Sequence, residues 1–335
     1  MVEQAVRERV DVIVVGGGPC GLAAAVSLER AGFGAPIIER GSIVSGIASY
    51  PTYMTFFSTA EKLGIGDIPF VVAGEKPTRR DALAYYRAVA EHYGIRVRQY
   101  ENVERIERVG DGFVVHSRVV RSGELVATEA AAIVIATGYF GRPNALGVPG
   151  EDLPHVSHLF LEGHEGWGQD VVVVGGGNSA VDAALDLYRS GSRVSLVHYR
   201  PALKSTIKSW VLPDIANRLA EGSIRGYFGS RVVRITPDEV IVASDAGEAH
   251  IPAQHVYLML GYQPNSGLLT QLGVPLDEET GVPAHDPATM ETSVPGVFIA
   301  GVLASGFDAN KTFIENGRHH GGLIAAALAG RTAPR

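Results

Sequence analysis

Residues 11–25 read DVIVVGGGPCGLAAA, and this stretch decides the fold. Its apolar, β-branched run is typical of a buried strand, and a glycine-rich turn follows directly. The turn has the spacing G-x-G-x-x-G, formed by Gly16, Gly18 and Gly21. Pro19 suits the first position of a helix, and apolar residues recur at helical spacing from there up to Gly32. The stretch therefore predicts a strand, a tight turn and a helix in immediate succession.

The pattern occurs a second time at residues 170–180, DVVVVGGGNSA. The positions equivalent to the three glycines are Gly175, Gly177 and Ala180, and the second helix starts with Asn178 and Ser179. Glycines in such a turn let the backbone approach a pyrophosphate, and the helix N-terminus presents unpaired amides with a partial positive charge. One copy alone is weak evidence. Two copies in the same strand and helix context predict two dinucleotide sites.

The two copies differ after the strand that follows each helix. In the first copy, Glu39 lies 23 positions after Gly16, where a carboxylate accepts hydrogen bonds from both hydroxyls of an adenosine ribose. In the second copy, the same offset from Gly175 reaches His198, and Arg200 follows two positions later. Arginine forms strong charge-assisted bonds with phosphate. We therefore expect an unphosphorylated adenosine at the first site and NADPH at the second.

An alternative for the basic residues near the second copy is a solvated surface face formed by Arg200, Lys204 and Lys208. The charges alone do not decide between the two interpretations. The matching offset favours the phosphate site, because it does not depend on the number of charges.

The composition limits the class of protein. At 335 residues the chain is long enough for two domains, and 46% hydrophobic with 19% charged residues indicates buried cores. A net charge of −7 argues against nucleic acid or an anionic membrane as the main partner. The longest apolar runs are far shorter than the roughly 20 residues of a membrane-spanning helix, and the N-terminus resembles no secretory signal.

Cys20, inside the first turn, is the single cysteine of the chain. It cannot form an internal disulfide, which predicts a reducing cytoplasm. A single cysteine also excludes a CxxC redox pair and a cysteine-rich metal site, and we expect no metal.

At this point the sequence resembles the thioredoxin-reductase-like flavoproteins, which have two dinucleotide-binding domains. The resemblance rests on both turns, on ATG at 136–138 and on GVFIAG at 296–301. It implies FAD and NADPH as cofactors. It also implies an α/β fold of two doubly wound Rossmann-like domains, each with a small β-meander. Residues 113–136 and 231–260 have the alternating pattern of such meanders.

The same resemblance implies that the FAD-binding domain is discontinuous, with residues 1–148 and 285–335 flanking an NADPH-binding domain of residues 149–284. A helix that starts near Lys311, with Asn310 as a reasonable N-cap, would point its N-terminus at the flavin and stabilise the anionic reduced ring. The expected FAD contacts are Gly16, Gly18, Pro19, Gly21, Glu39, Arg40, Ala136, Thr137, Gly138, Gly301, Lys311 and Thr312. The expected NADPH contacts are Gly175, Gly177, Asn178, Ser179, His198 and Arg200.

The chain departs from that pattern in two places. No CxxC occurs in the second half, which disfavours thioredoxin reductase activity. Val302 stands where the acidic residue after the last flavin strand is usual, and Asp308 is a candidate to replace it.

Three stretches narrow the resemblance further. YPTYMTFFSTAEKLGIGDIPF at 50–70, GGGPCG at 16–21 and DANKTFIENGR at 308–318 are similar to the bacillithiol-disulfide reductases of the YpdA type, also called bacilliredoxin reductases. This similarity implies that NADPH and FAD reduce the disulfide of a low-molecular-weight thiol, most simply bacillithiol disulfide, in the cytoplasm. A bacilliredoxin-type protein is a further candidate partner, and we expect a homo-oligomer.

The resemblance includes Cys20, which makes it the candidate catalytic nucleophile. The helix N-terminus lowers the pKa of a thiol, but the roughly two negative charges of a diphosphate outweigh a dipole of about half a charge. We therefore expect a protonated thiol, and we favour close packing beside FAD as its role. His319 and His320 are candidate proton donors, with a structural role as the alternative. The aromatic stretch 50–70 is either ordinary core or a wall of the flavin pocket.

Two other functions remain open at this stage. A ferredoxin or flavodoxin reductase shares this architecture and also lacks CxxC, and it would pass electrons to a one-electron protein acceptor. A flavin-binding redox sensor would show no substrate turnover.

Overall fold

The computed structural model describes residues 6–308 and 311–332. Its strands are β1 (Val6–Val15), β2 (Ile37–Glu39), β3 (Val97–Gln99), β4 (Glu101–Val109), β5 (Gly112–Val119), β6 (Leu125–Ile135), β7 (Val156–Ser157), β8 (Asp170–Val174), β9 (Arg193–His198), β10 (Ile224–Phe228), β11 (Arg231–Ile235), β12 (Glu239–Ser244), β13 (Gly247–Pro252), β14 (His255–Leu258) and β15 (Val297–Ile299). Its α-helices are α1 (Pro19–Arg30), α2 (Ser45–Ala48), α3 (Ala60–Leu63), α4 (Arg79–His92), α5 (Asn178–Arg189), α6 (Leu212–Ala220), α7 (Gly267–Gln271), α8 (Ile314–Gly317) and α9 (His320–Thr332). Short 3-10 helices span His164–Gly166 and Gly301–Ser305.

The chain forms two compact units. The first contains residues 6–48 and 54–142 and the described residues from Gln263 onward, and the second contains Ser49–Tyr53 and Pro143–Tyr262. The chain thus returns to the first unit at Gln263, earlier than the expected boundary at 285. The backbone hydrogen bonds agree with this earlier return. The Gln263 amide donates to the carbonyl of Arg142, a residue of the first unit, at 2.8 Å, and α7 follows inside the same unit.

The first unit is built on a parallel sheet in the order β3-β2-β1-β6-β15. The long strand β6 pairs with β1 along one edge. Its other edge is divided, with β5 antiparallel over residues 125–130 and β15 parallel over residues 133–135. The expected meander of this unit, formed by β4, β5 and β6, is therefore a continuation of the main sheet, because β6 is long enough to serve both.

The second unit repeats the arrangement with the parallel sheet β10-β9-β8-β14-β7. Its meander, β11-β12-β13, is a separate antiparallel sheet. Val171 and Val173 of β8 pack into a core with α5 and α6, whereas Val172 and Val174 pack into a core with the meander. Both faces of β8 are buried from Val171 to Val174, which is why this run is continuously apolar rather than alternating.

These two units confirm the expected fold class of two doubly wound α/β domains with meanders. In each unit the glycine-rich turn follows the central strand, β1 or β8, and leads into a helix with the predicted start. Gly32 and Gly191, which follow α1 and α5, have positive φ angles of 87° and 89°. Within the described residues, no helix combines the length and apolar character needed to cross a bilayer.

The expectation of one continuous helix over residues 311–330 is wrong. The structure has the four-residue α8 and then α9, separated by a turn at Arg318 and His319. Gly317, the last residue of α8, is pressed so closely against Gly301 that a Cβ atom there would lie 3.1 Å from the Gly301 Cα. The expected N-cap, Asn310, lies outside the described residues.

The aromatic stretch 50–70 is divided between two environments. Phe56 and Phe70 are buried, and Phe70 stacks on Tyr85 with ring centroids 4.1 Å apart. Tyr53 and Phe57 expose 73% and 62% of their surface. Core packing therefore explains only part of the stretch.

Candidate functional site

The first glycine-rich turn is shaped by close backbone approaches. Gly16 has a φ of 106°, and a Cβ atom there would lie 2.4 Å from the Ala136 carbonyl oxygen. A Cβ atom at Gly21 would lie 2.0 Å from the carbonyl oxygen of Gly16. Any larger residue at either position would force the turn apart, so both glycines are required by the fold itself.

Gly18 plays a different part in the same turn. A Cβ atom there would meet nothing within 4 Å, so the backbone is open on that side. Pro19 is the first residue of α1, and no side chain caps the helix. The amide groups of its first turn are thus left for a bound anion, and the geometry fits the diphosphate of a dinucleotide.

Glu39 ends β2 beside this turn and is buried. Its Oε2 accepts from the Gly17 amide at 2.6 Å, and its Oε1 accepts from the Gly41 amide at 2.7 Å and the Ser45 hydroxyl at 2.9 Å. These three donors are uncharged, and they hold the carboxylate in place. A carboxylate has about four acceptor sites, so capacity remains for a ribose hydroxyl.

The remaining expected FAD contacts of this region lie in the same unit. The Ala136 amide donates to Val15, and Thr137 Oγ1 donates to the Asn265 carbonyl at 2.8 Å. Gly138 has a φ of 67°, and the exposed Arg40 lies beside Gly141. The bond from Thr137 to Asn265 links the ATG turn to the segment that returns from the second unit.

Cys20 packs against two glycines that the sequence separates widely from it. A Cβ atom at Gly301 would lie 2.9 Å from the Cys20 Cβ, and one at Gly317 would lie 2.8 Å from its Sγ. The residue as a whole is half-buried, but burial of its sulfur raises the pKa of the thiol to about 12. A protonated thiol is thus favoured by burial, independently of any bound diphosphate.

His320 supports the same region as a structural acceptor. Its Nδ1 accepts from the Gly301 amide at 3.1 Å, which leaves the ring proton on Nε2. Burial, then the neighbouring His285 and His319, lowers the pKa of His320 to about 4. The ring is neutral near pH 7, so a cationic acid at this position is not supported.

The last expected FAD contacts, Lys311 and Thr312, precede α8. The Thr312 and Ser305 hydroxyls share a hydrogen bond, and the Lys311 ammonium lies 3.9 Å from an Asp308 carboxylate oxygen. Both of these charged side chains are largely exposed. Because α8 has four residues, a strong helix dipole toward the flavin is not available from it.

The second glycine-rich turn repeats the geometry of the first. Gly175 has a φ of 149°, and a Cβ atom there would lie 2.5 Å from the Met259 carbonyl oxygen. The helix α5 begins at Asn178 without a side-chain cap, as α1 does at Pro19. Ser179 is exposed at this end of the helix. A second diphosphate therefore fits here for the same physical reason.

His198 occupies the place that Glu39 has in the first unit. It is buried, and its Nε2 has no hydrogen-bond partner among the described residues. A Cβ atom at Gly176 would lie 2.3 Å from that nitrogen. Burial first, and then Lys204 and Arg200, lowers the pKa of the ring. A neutral ring with an unsatisfied nitrogen thus lies under the turn, and such a nitrogen requires a partner.

The side-chain amide of Asn178 is bonded to the segment after β9. Its Nδ2 donates to the Thr206 carbonyl at 3.0 Å, and its Oδ1 accepts from the Lys208 amide at 2.9 Å. The Lys204 amide also donates to the Gly176 carbonyl at 3.0 Å. The segment after β9 is therefore folded back onto the glycine-rich turn, which nothing in the sequence pattern had indicated.

The basic residues near this turn separate into two kinds. Lys208 forms an ion pair with Asp182 at 2.7 Å and is mostly buried, so it is not part of a solvated face. Arg200 is exposed, and its Nε donates to the Tyr199 hydroxyl at 3.0 Å, which fixes the guanidinium over the Tyr199 ring. Arg200 is thus oriented by a neutral group and keeps its charge for an anionic ligand.

The chain is similar to known proteins along nearly its whole length. The family model described as pyridine nucleotide-disulphide oxidoreductase matches residues 13–301. Bacilliredoxin reductase Bdr of Bacillus subtilis is 47% identical over 321 residues, covering 95% of this chain and 97% of that protein.

Two solved structures are similar along nearly the whole chain. Bacillithiol disulfide reductase Bdr (YpdA) from Bacillus cereus has a TM-score of 0.94 and 45% identity, covering 96% of this chain and 99% of its own. The protein of the same name from Staphylococcus aureus has a TM-score of 0.91 and 39% identity, with 97% and 100% coverage. The chain therefore belongs to the pyridine nucleotide-disulphide oxidoreductase family, as a Bdr (YpdA)-type flavoprotein with FAD and NADPH as its cofactors, which confirms the family and the cofactors predicted from the motifs.

Proposed function

We propose that this protein is an NADPH-dependent reductase of bacillithiol disulfide. The observation that carries the proposal is the near full-length similarity to two proteins named bacillithiol disulfide reductase, at identities of 45% and 39%. The two nucleotide sites described above support it, because one fits FAD and the other fits NADPH.

The reaction consumes one NADPH, one proton and one disulfide, and it yields NADP⁺ and two thiols. Bound FAD supplies the chemistry that connects a two-electron hydride donor to the disulfide. The residues of the chain bind and orient the two cofactors.

We propose that the first unit holds FAD. The backbone around Gly18 and the uncapped start of α1 receive the diphosphate, and Glu39 receives the adenosine ribose. The second unit holds NADPH, with α5 at its diphosphate and with His198 and Arg200 at the phosphorylated ribose. The domain boundaries then follow the units at Arg142 and Gln263 rather than the boundaries expected from sequence.

Cys20 has no second cysteine in the chain with which to form a disulfide. Electrons therefore do not pass through an internal dithiol. We propose that Cys20 is a small residue required between Gly301 and Gly317, with its thiol kept protonated by burial. Nucleophilic attack by Cys20 is the competing role, and a variant described below separates the two.

We also propose a protein partner, an oligomeric state and a cellular compartment for this enzyme. A bacilliredoxin carrying a mixed disulfide is a protein substrate of suitable chemistry, and the enzyme acts as a homo-oligomer. A reducing cytoplasm suits a chain with one cysteine.

An acceptor screen tests the proposed function. The FAD-loaded enzyme with NADPH receives bacillithiol disulfide, another small disulfide, a protein disulfide, ferredoxin or oxygen in separate reactions. We expect the fastest NADPH oxidation with bacillithiol disulfide, with two thiols formed for each NADPH consumed. Faster reduction of ferredoxin would make the protein a ferredoxin reductase. An absence of turnover with every acceptor would favour a flavin-binding sensor.

A further inference from the structure

Two arginines converge on one tyrosine at the end of β9. The guanidinium carbon of Arg200 lies 5.4 Å from the centroid of the Tyr199 ring, and that of Arg231 lies 5.0 Å from it. Arg231 is the first residue of β11 and lies far from Arg200 in the sequence. Both distances are within the range of cation–π attraction, so both guanidinium groups lie against the same aromatic ring.

The backbone fixes this arrangement. The Gly229 amide donates to the Arg200 carbonyl at 2.9 Å, and the Ser230 amide donates to the His198 carbonyl at 3.1 Å. Ser230 is buried. The turn before β11 is thus bonded to the end of β9, and the position of Arg231 follows from those bonds rather than from a flexible side chain alone.

The charges of this cluster are not neutralised by the protein. Among residues 6–308 and 311–332, neither Arg200 nor Arg231 forms an ion pair, and neither does Lys204, whose amide bonds to the second turn. Other arginines of the same unit do have partners: Arg189 pairs with Asp214, and Arg193 pairs with Asp170. Adjacent unpaired cations repel one another, so their convergence indicates an anionic ligand.

A second, independent observation points to the same place. His198 is 3% exposed, and its Nε2 is buried and has no partner in the described part of the chain. That nitrogen faces Gly176 of the turn on which the dinucleotide would lie. The cluster therefore borders a polar atom that still needs a hydrogen-bond partner.

We propose that Arg231 is a second arginine of the 2′-phosphate site and determines, together with Arg200, the preference for NADPH. The proposal rests on the assignment of NADPH to the second unit. Two guanidinium groups match a dianionic phosphate in charge and in planar hydrogen-bonding geometry. Tyr199 orients both of them before the ligand arrives, which reduces the side-chain ordering that binding would otherwise require.

The experiment measures binding to the FAD-loaded protein by calorimetry. The probes are adenosine 2′,5′-bisphosphate and adenosine 5′-monophosphate, which differ by the 2′-phosphate. We expect Arg231→Ala to weaken binding of the bisphosphate by about ten- to a hundredfold, since a lost charge-assisted bond has that effect. Binding of the monophosphate should change less than about twofold, a difference of roughly 0.4 kcal/mol.

Arg234→Ala is the matched control, because Arg234 is an exposed arginine of the same strand without an ion pair in the described residues. It removes the same charge and should leave both affinities unchanged. Arg231→Gln keeps the stem of the side chain and replaces Arg231→Ala if that variant loses its flavin absorbance.

Two results would overturn the proposal: equal weakening of both probes by the Arg231 variants, or a loss for the bisphosphate no larger than in Arg234→Ala. Neither result bears on which disulfide the enzyme reduces, because no disulfide is present in these titrations. Failure of the proposed substrate in the acceptor screen would likewise leave this binding measurement intact.

Discussion

The two glycine-rich turns have similar backbones, but the side chains beside them differ in charge and in hydrogen bonding. In both, the first glycine packs on the carbonyl oxygen of the residue that follows the neighbouring strand, Ala136 in one unit and Met259 in the other. The side chain that ends the next strand differs. Glu39 is an acceptor already held by three donors, whereas the buried Nε2 of His198 has no partner in the part of the chain that the structure describes.

This difference shows how one fold serves two cofactors. The glycine geometry binds what FAD and NADPH share, which is a diphosphate at a helix N-terminus. The residue at the strand end distinguishes the two adenosines. A carboxylate accepts from both ribose hydroxyls and repels a phosphate, whereas a neutral imidazole beside arginines does not repel a phosphate. The residue at the strand end, and not the glycine-rich turn, therefore determines which adenosine each unit prefers.

The largest effect should come from filling the turns themselves. Gly16→Ala places a side chain on a strained backbone, with its Cβ 2.4 Å from a carbonyl oxygen, and we expect the protein to lose FAD. Gly175→Ala should keep the yellow colour and lose NADPH binding. Each change should also cost about 2–6 kcal/mol of stability, from backbone strain and overpacking together. Flavin absorbance, nucleotide titration and thermal unfolding measure the three outcomes.

Gly322→Ala is the control for both, because its added methyl group would meet nothing within 4 Å in the helix α9. It should stabilise the protein by about 0.5–1 kcal/mol. Loss of FAD from Gly175→Ala as well would contradict the assignment of one cofactor to each unit.

The next largest effect is expected from changing the residue at the end of the strand β9. His198→Glu gives the second unit the residue type of the first, and a carboxylate there should repel a 2′-phosphate. We expect the ratio of kcat/KM for NADPH to that for NADH to fall by about a hundredfold, since like-charge contacts cost several kcal/mol. His198→Gln, which adds no charge, should change the ratio by less than about tenfold. Equal shifts in the two variants would show that charge at this position is irrelevant.

A smaller effect is expected from Arg200→Ala. Loss of one charge-assisted bond to phosphate costs about 1.5–3 kcal/mol. The Michaelis constant for NADPH should therefore rise by roughly one to two decades, whereas that for NADH should hardly change. Steady-state kinetics with both nucleotides measure this. A similar rise for NADH would mean that Arg200 supports the fold of the turn and does not bind the phosphate.

The smallest effect on turnover is expected at Cys20. Cys20→Ala should retain FAD and reduction of the flavin by NADPH, and it should lose less than about tenfold in disulfide turnover, which is under roughly 1.4 kcal/mol in activation free energy. Alanine fits the space between Gly301 and Gly317 that the thiol now fills. A loss of several decades with flavin reduction intact would make Cys20 the nucleophile.

The pH dependence of the thiol sharpens the same test. Burial raises the pKa of Cys20 from an ordinary 9.0 to about 12, so the reactive thiolate is scarce at pH 8. Its alkylation rate should rise about tenfold per pH unit up to the pKa. The stability contributed by the neutral thiol is present below pH 9 and is lost as the pH rises toward 12, so the unfolding curve of Cys20→Ala should depend less on pH in that window. Rapid alkylation at pH 7 would contradict a buried thiol.

The sequence by itself determined the structural features that depend on neighbouring residues. Each strand, turn and helix around Gly16 and Gly175 is specified by adjacent residues, and the offset to Glu39 and His198 is fixed by the length of one helix and one strand. The fold class, the family and both cofactors were predicted from these repeated units together with the family resemblance of residues 50–70, 136–138, 296–301 and 308–318, and the structure and the comparisons confirm them. The residue-level contacts with the cofactors remain predictions.

Tertiary structure alone decided the features that depend on distant segments. One helix was expected from Lys311 onward, but the folded chain has α8 and α9, and Gly317 at the end of α8 packs closely on Gly301 and Cys20. The return of the chain at Gln263 depends on a hydrogen bond to Arg142. Such contacts leave no periodic signal, because their energy comes from packing between elements that are far apart in the sequence.

The positions of the side chains around the second glycine-rich turn were also decided by tertiary structure. Asn178 is used by the segment after β9, and Arg231 reaches Tyr199 from another sheet. A motif specifies which backbone approaches a phosphate, since that depends on neighbouring residues in one turn. Which charges surround the phosphate depends on how separate strands are packed, and only the folded chain brings those charges together.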